Sequence, residues 1–194
     1  MLNRLREKVS LLVNLLVKPL VALNIHPNTL TVLSMLVLLT GALVFTATHS
    51  IPLYMAFIAF SGIFDMLDGA LARATGKTSR FGAFLDSVVD RVNDSIMIWS
   101  LTLLGLNQLC VTVLLVASLL TSYTRARGES LGVPVIGVGL VERPERIIGL
   151  VFILILYMVS EELAVVALVA LTALSVATVI QRVVWVYKRL RSVS

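Results

Sequence analysis

The chain has 194 residues, 16 Lys and Arg against 11 Asp and Glu for a net charge of +5, 58% hydrophobic residues, 14% charged residues and a mean hydropathy of +0.99. Soluble domains run at about 45–50% apolar and about 25% charged residues, so this composition excludes an ordinary water-soluble globule and points to an integral membrane protein. Six or so helices of about 20 residues each would use nearly all of the chain, which leaves no room for a separate soluble catalytic domain.

Residues 1–24 set Arg4, Arg6, Lys8 and Lys18 among recurring Leu and Val, the pattern of an amphipathic helix lying at the membrane surface. A signal peptide shares the basic start but carries a small-residue cleavage site, and none is present. Beyond Pro27 the apolar runs predict an all-α bundle over 28–190, with transmembrane helices at 28–48, 51–75, 80–104, 107–128, 144–160 and 162–187. The connections near His49, Leu106 and Glu161 contain no Lys or Arg, so all 16 basic residues belong to the opposite side. The positive-inside rule then puts both termini in the cytoplasm of a multi-pass protein of the cell membrane. The net charge thus reflects topology and attraction to anionic lipid headgroups, and does not argue for a nucleic-acid partner. Gly128, Gly132, Pro134, Gly137 and Gly139 predict a cytoplasmic loop over 128–143, and Pro144 and Glu145 suit the first turn of the helix that follows. Cys110, the single cysteine, lies in an apolar stretch and excludes a disulfide framework or a thiolate metal cluster.

Residues 64–94 carry the chemistry. Asp65, Asp68, Asp86 and Asp90 fall inside predicted spans, where each isolated charge costs about 2.5–3.5 kcal/mol. The first two are spaced i, i+3 and the last two i, i+4, so each pair occupies one helix face. The short turn from Gly76 to Arg80 makes the two helices antiparallel neighbours, so the acidic faces can meet near the cytoplasmic end. Carboxylates gathered this way need cations, and oxygen-only ligands suit Mg²⁺ or Mn²⁺ rather than Zn²⁺. Two divalent ions would cancel the four charges and could bind a diphosphate. Gly69 and Ala72 leave room for a ligand beside the helix, and Arg73 offers a phosphate-binding fork. The competing structural account has the small residues serving helix packing and the aspartates pairing with Arg73 and Arg91.

Read as Asp65-x-x-Asp68-Gly69-x-x-Ala72-Arg73, eight residues, then Gly82-x-x-x-Asp86-x-x-x-Asp90, the segment resembles the complete signature of the CDP-alcohol phosphotransferase family. At ordinary residue frequencies of about 5–8%, such a match arises by chance at roughly one start site in 10¹⁰. The resemblance implies a six-span membrane enzyme, usually a homodimer, that uses a divalent metal to move a phosphoalcohol from a CDP-alcohol to an acceptor hydroxyl and releases CMP. It implies Asp65, Asp68 and Asp86 as metal ligands, with Asp90 near the metals and acting as general base. Asp68, Gly69, Ala72, Arg73, Thr78 and Gly82 would form the nucleotide pocket. His26-Pro27-Asn28-Thr29-Leu30-Thr31 resembles the family's Pro-Asn-hydroxyl element at the cytidine end, which adds Asn28 and Thr31 to that pocket. Asn28 is read either as a helix N-cap or as a nucleotide contact.

The acceptor is read from Ser122, Arg125 and Arg127, then Arg143 and Arg146, then Arg182. So many guanidiniums suit a phosphomonoester better than serine, choline or free inositol. Lys188, Arg189 and Arg191 read as membrane anchors, whereas Arg182, inside an apolar helix, is expected to face a polar cavity. These stretches resemble the phosphatidylinositol phosphate and archaetidylinositol phosphate synthases, although Arg125 stands where bacterial members tend to carry Lys. The resemblance implies transfer of a phosphatidyl-type group from CDP-diacylglycerol or CDP-archaeol to inositol 1-phosphate. Glycerol-3-phosphate is the alternative acceptor. A cation transporter is the alternative of another class, but helices one, four and five carry almost no polar residues away from their cytoplasmic ends.

Overall fold

The computed structural model describes residues 13 and 15–191, and these contain helices and no strand. Helix α1 covers 15–22, followed by α2 (Pro27–Thr48), α3 (Ile51–Thr75), α4 (Arg80–Ser100), α5 (Gln108–Ser130), α6 (Arg143–Tyr157) and α7 (Glu161–Arg191). Each predicted transmembrane segment is therefore helical, with shifted ends. The third tightens after Ser100 into a 3₁₀ turn, Leu101–Leu104, closed by Gly105 at φ 76. Most of the predicted surface helix, residues 1–12 and 14, lies outside the described residues.

Local chemistry explains the boundaries. The Asn28 N–H donates to His26 Nδ1 at 3.2 Å, so His26 caps α2 and Pro27 occupies its first turn. Asn28 is therefore not the N-cap. The Gly82 N–H donates to Ser79 Oγ at 2.9 Å at the start of α4, and the Cys110 N–H to Asn107 Oδ1 at 3.0 Å at the start of α5. Gly76, at φ 65, ends α3 in the left-handed conformation that costs glycine least.

The chain divides into two compact units, one ending at Asn93 and the other starting at Asp94, a boundary inside α4. In the first, α2 and α3 form a helical hairpin through His49 and Ser50. Phe45 and Tyr54 stack beside the turn with ring centroids 4.9 Å apart. A Cβ on Gly41 would lie 2.4 Å from Phe57 Cβ, so the missing side chain lets the two helices touch. Val17 of α1 packs with Leu30, Leu67 and Leu71.

In the second unit α7 packs against α5 and α6. Leu114, Ile153, Ala164 and Leu168 are buried there, and the Tyr157 hydroxyl donates to the Leu104 carbonyl at 2.9 Å. The predicted loop starts later than the glycines suggested. Gly128 lies within α5, because Val135 folds back onto it, with Val135 Cγ2 only 2.6 Å from where a Cβ would stand. The connection 131–142 is tied down by Thr178 Oγ1, which accepts from the N–H groups of Leu140 and Val141, and by Trp185 Nε1, which donates to the Pro134 carbonyl.

Among the described helices, α2, α3, α5 and α7 are long and apolar enough to cross a membrane. Helix α4 carries Arg80, Asp86, Asp90, Arg91 and Asp94, and the 15 residues of α6 rise only about 22 Å against a hydrocarbon core of about 30 Å. Large apolar side chains such as Leu43, Val166 and Val169 point outward, as lipid-facing residues do.

Candidate active site

Helices α3 and α4 of the first unit bring together Asp65, Asp86 and Asp90, each half-buried and offering one carboxylate oxygen within 4.8 Å of the others. Three negative charges at that spacing repel strongly where water is scarce. The donor set is all oxygen, the choice of a hard divalent cation, and the spacing lets one ion touch all three residues. Arg91 adds a cation, 3.9 Å from Asp90 Oδ2, with Nη1 also donating to the Ser87 carbonyl. Asp68 stands one turn along α3 from Asp65, buried, and its Oδ2 accepts from Thr31 Oγ1 at 2.6 Å. The i, i+3 spacing thus places three carboxylates in one group and turns the fourth toward α2.

Beside this group lies an open cleft of about 190 Å³. Asn28 and Thr31 border it from α2, and Asp68, Gly69, Ala72 and Arg73 from α3. Thr78 closes it from the connection, and Gly82 and Asp86 from α4. The structure therefore brings every residue expected at the nucleotide end to one concavity shared with a carboxylate of the acidic group. The glycines set its width. A Cβ on Gly82 would lie 3.0 Å from Asn28 Oδ1 and 3.1 Å from Ser79 Oγ, and one on Gly69 would lie 3.3 Å from Arg73 Nη1.

Two polar cleft residues escaped the sequence reading. Lys77 lines the cleft, its ammonium donating to Asn24 Oδ1 at 2.7 Å, and Ser79 lines it while capping α4. A basic residue between the halves of the acidic motif was the available signal for the first, and a hydroxyl three residues before Gly82 for the second.

The residues expected at the acceptor lie in the second unit. Ser122 is half-buried on α5. Arg125 Nε pairs with Glu129 at 3.0 Å and Arg127 Nη1 donates to Ser130 Oγ at 3.4 Å, both on the exposed end of α5. Arg143 Nε stands 3.5 Å from Asp94 Oδ1, while buried Arg146 donates through Nη2 to Asp94 Oδ2. Arg182 does not snorkel to the surface. Its Nε donates to the Val138 carbonyl at 2.8 Å, Nη1 to the Thr121 carbonyl at 2.6 Å and Nη2 to Glu142 Oε1 at 3.0 Å. Asp94 and Glu142 were not singled out from the sequence, although Asp94 continues the four-residue spacing of Asp86 and Asp90.

A family profile described as CDP-alcohol phosphatidyltransferase matches residues 24–186. The chain belongs to that family. It is 39% identical over 191 residues to the archaetidylinositol phosphate synthase of Pyrococcus horikoshii, covering 98% of each chain. With the phosphatidylinositol phosphate synthase of Corynebacterium glutamicum it shares 35% identity over 197 residues, covering 92% of this chain and 85% of the other. The crystal structure of Mycobacterium tuberculosis phosphatidylinositol phosphate synthase with CDP-DAG bound superposes with a TM-score of 0.81 at 29% identity, covering 90% of this chain and 93% of that one. The same enzyme in complex with manganese and citrate gives the same TM-score and identity over 90% and 88% of the two chains. Family and relatives make this protein a multi-pass membrane enzyme, a transferase of phospholipid synthesis.

Proposed function

We propose that the protein transfers a phosphatidyl-type group from a CDP-lipid to inositol 1-phosphate, forming a phosphatidylinositol phosphate-type lipid and releasing CMP. The observation that carries this reading is the group of Asp65, Asp86 and Asp90 beside a cleft that Asp68, Arg73 and two glycines shape. The names of the relatives support the acceptor, and the CDP-DAG and manganese of the mycobacterial structures support the donor and the metal.

Asp65, Asp68, Asp86 and Asp90 would hold two divalent ions, Mg²⁺ or Mn²⁺. When bound, such ions neutralise the diphosphate and draw electron density from its phosphorus. Asn28, Thr31, Thr78 and Gly82 receive the nucleotide end, Ala72 and Gly69 leave it space, and Arg73 binds a phosphate oxygen through its fork. Thr31 holds Asp68 by its hydroxyl, so that carboxylate keeps one orientation. Asp90 accepts the proton of the attacking inositol hydroxyl. The oxygen bonds to the lipid-linked phosphorus, and the bond from that phosphorus to the CMP oxygen breaks with the electron pair on CMP. Arg125, Arg127, Arg143, Arg146 and Arg182, with Ser122, supply the positive side for the acceptor phosphate.

In the same reading α2 to α7 all cross the cell membrane, α1 lies in its interface, both termini and the site face the cytoplasm, and the enzyme works as a homodimer. The distribution of Lys and Arg supports the orientation.

The test is CMP release by the purified protein with Mg²⁺ and either CDP-diacylglycerol or CDP-archaeol, offered inositol 1-phosphate, glycerol-3-phosphate, free inositol or serine. Release with inositol 1-phosphate alone is expected, lost in Asp90→Asn while CDP-lipid binding persists. Release with glycerol-3-phosphate alone overturns the acceptor, and silence in every arm overturns the reaction.

A further inference from the structure

Four guanidiniums of the second unit, those of Arg125, Arg143, Arg146 and Arg182, face internal carboxylates, and the matches differ in kind. Arg125 and Glu129 form a surface pair, with side chains 44% and 40% exposed, of the sort that contributes little. Asp94 is locked, 4% exposed and held by both Arg143 and Arg146. Arg182 and Glu142 combine the two situations, since the arginine side chain is 3% exposed and its carboxylate partner 36% exposed.

The three edges of the Arg182 guanidinium are therefore unequal. Two donate to backbone carbonyls, Thr121 within α5 and Val138 in the connection, which cannot withdraw without distorting the chain. The third donates to a carboxylate on a rotatable side chain that already reaches water. Glu142 and Glu145 form a capping box at the start of α6, the Glu142 N–H donating to Glu145 Oε2 at 3.1 Å and the Glu142 side chain accepting from the Glu145 N–H, so a departing Glu142 side chain gives up its half of the box while the Glu145 half still holds the start of the helix.

A buried guanidinium needs an anion nearby, because an uncompensated charge in a low-dielectric interior is costly. A phosphomonoester can replace Glu142 there, bringing nearly two charges and a geometry that arginine binds bidentately. A neutral hydroxyl cannot, since exchanging it for the carboxylate would strip Arg182 of its counter-charge.

We propose that Glu142 is a built-in stand-in for the acceptor's phosphate, holding Arg182 until a phosphorylated acceptor displaces it, and so acts as a specificity-determining residue against unphosphorylated acceptors. The proposal rests on the inositol 1-phosphate reading above.

The experiment compares wild type and Glu142→Gln, an isostere without the charge. Binding of inorganic phosphate is measured by calorimetry and by the phosphate-dependent rise in thermal midpoint, and the KM values for inositol 1-phosphate and CDP-lipid by CMP release. Removing an internal anion worth one charge-assisted hydrogen bond should tighten phosphate binding about tenfold. The acceptor KM should fall in parallel while the KM for CDP-lipid stays in place. The variant should also melt lower than wild type without phosphate and recover with it, because the added anion takes over the missing partner.

Equal or weaker phosphate binding by Glu142→Gln overturns the proposal and leaves Glu142 as a structural partner of Arg182. Glu142→Ala, measured in the same way, carries the same expectation. If neither variant folds, the stand-in is refuted, since a displaceable partner must be dispensable for folding. Failure of the functional reading shows separately, as wild-type enzyme that releases no CMP with inositol 1-phosphate, and the phosphate-binding arm does not depend on turnover.

Discussion

Replacing Asp94 with leucine should destabilise the protein far more than an average substitution. The Asp94 and Arg146 side chains are 4% and 1% exposed, and Ser118 Oγ and Arg143 Nε also approach the carboxylate, at 3.5 Å each. Deleting one member of a buried ion pair costs about 3–5 kcal/mol, because the other charge stays behind unneutralised. For a chain of this length each kcal/mol moves the thermal midpoint by about 2–4 °C, so Asp94→Leu should melt about 6–20 °C below wild type. Arg146→Met should fall comparably. The double variant Asp94→Leu/Arg146→Met removes both charges of the buried pair and keeps Arg143, whose side chain is 28% exposed and so already reaches water. Replacing a whole buried pair by apolar residues is often neutral, so the double variant should recover most of the loss and show a large coupling energy. Thermal unfolding in detergent, followed by the fluorescence of Trp99 and Trp185, reads all four proteins. A single variant within about 2 °C of wild type, or a double variant as unstable as the singles, would refute the reasoning. The kinetics of the double variant then assign Arg146: an unchanged KM for inositol 1-phosphate makes it structural, and a raised one with an unmoved KM for CDP-lipid makes it a contact of the acceptor phosphate.

Thr31→Val should weaken CDP-lipid binding by about ten- to a hundredfold, because the buried Asp68 carboxylate loses a hydrogen bond worth about 1.5–3 kcal/mol; Thr31→Ser should restore it, and unchanged binding by Thr31→Val would dismiss the contact. Gly41→Ala should lower the thermal midpoint, since its Cβ would stand 2.4 Å from Phe57 Cβ and overpacking costs about 1–3 kcal/mol. Gly62→Ala, with nothing within 4 Å of the new Cβ, should leave the midpoint unchanged or raised. A chelator should abolish CMP release and added Mg²⁺ or Mn²⁺ restore it, with Asp86→Asn needing more metal; turnover that persists under the chelator would remove the metal from the site.

Much of the fold was legible because its signals are local. Pro27, Pro52 and Pro144 mark first turns, apolar runs mark the helices, and the aspartates from Asp65 to Asp90 read as two helix faces that a short turn brings together. What stayed hidden depends on partners distant in the chain. Asp94 finds its arginines 49 and 52 residues away, and no periodicity encodes that choice. Arg182 looked like a lone charge in an apolar helix, but two of its three bonds go to carbonyl groups, which carry no residue signature. Gly128 read as a breaker because its reason for being small is Val135, packed on it after the chain has turned back. The hydrogen bond from Thr31 to Asp68 was hidden as well, because spacing gives the face of a carboxylate and not the hydroxyl 37 residues away that meets it.

The connection 131–142 is an irregular segment built like a core. Val133, Val135 and Val141 are buried within it, and Thr178, Arg182 and Trp185 of a single helix hold its backbone. Exposed connections are usually where proteases cut and where epitope tags or fusion partners are accepted. Here a cut would first have to lift three valines from their packing and break the bonds to α7. The segment should therefore survive limited proteolysis in the folded enzyme, and a reporter inserted within it would be selected against as strongly as one placed inside a helix.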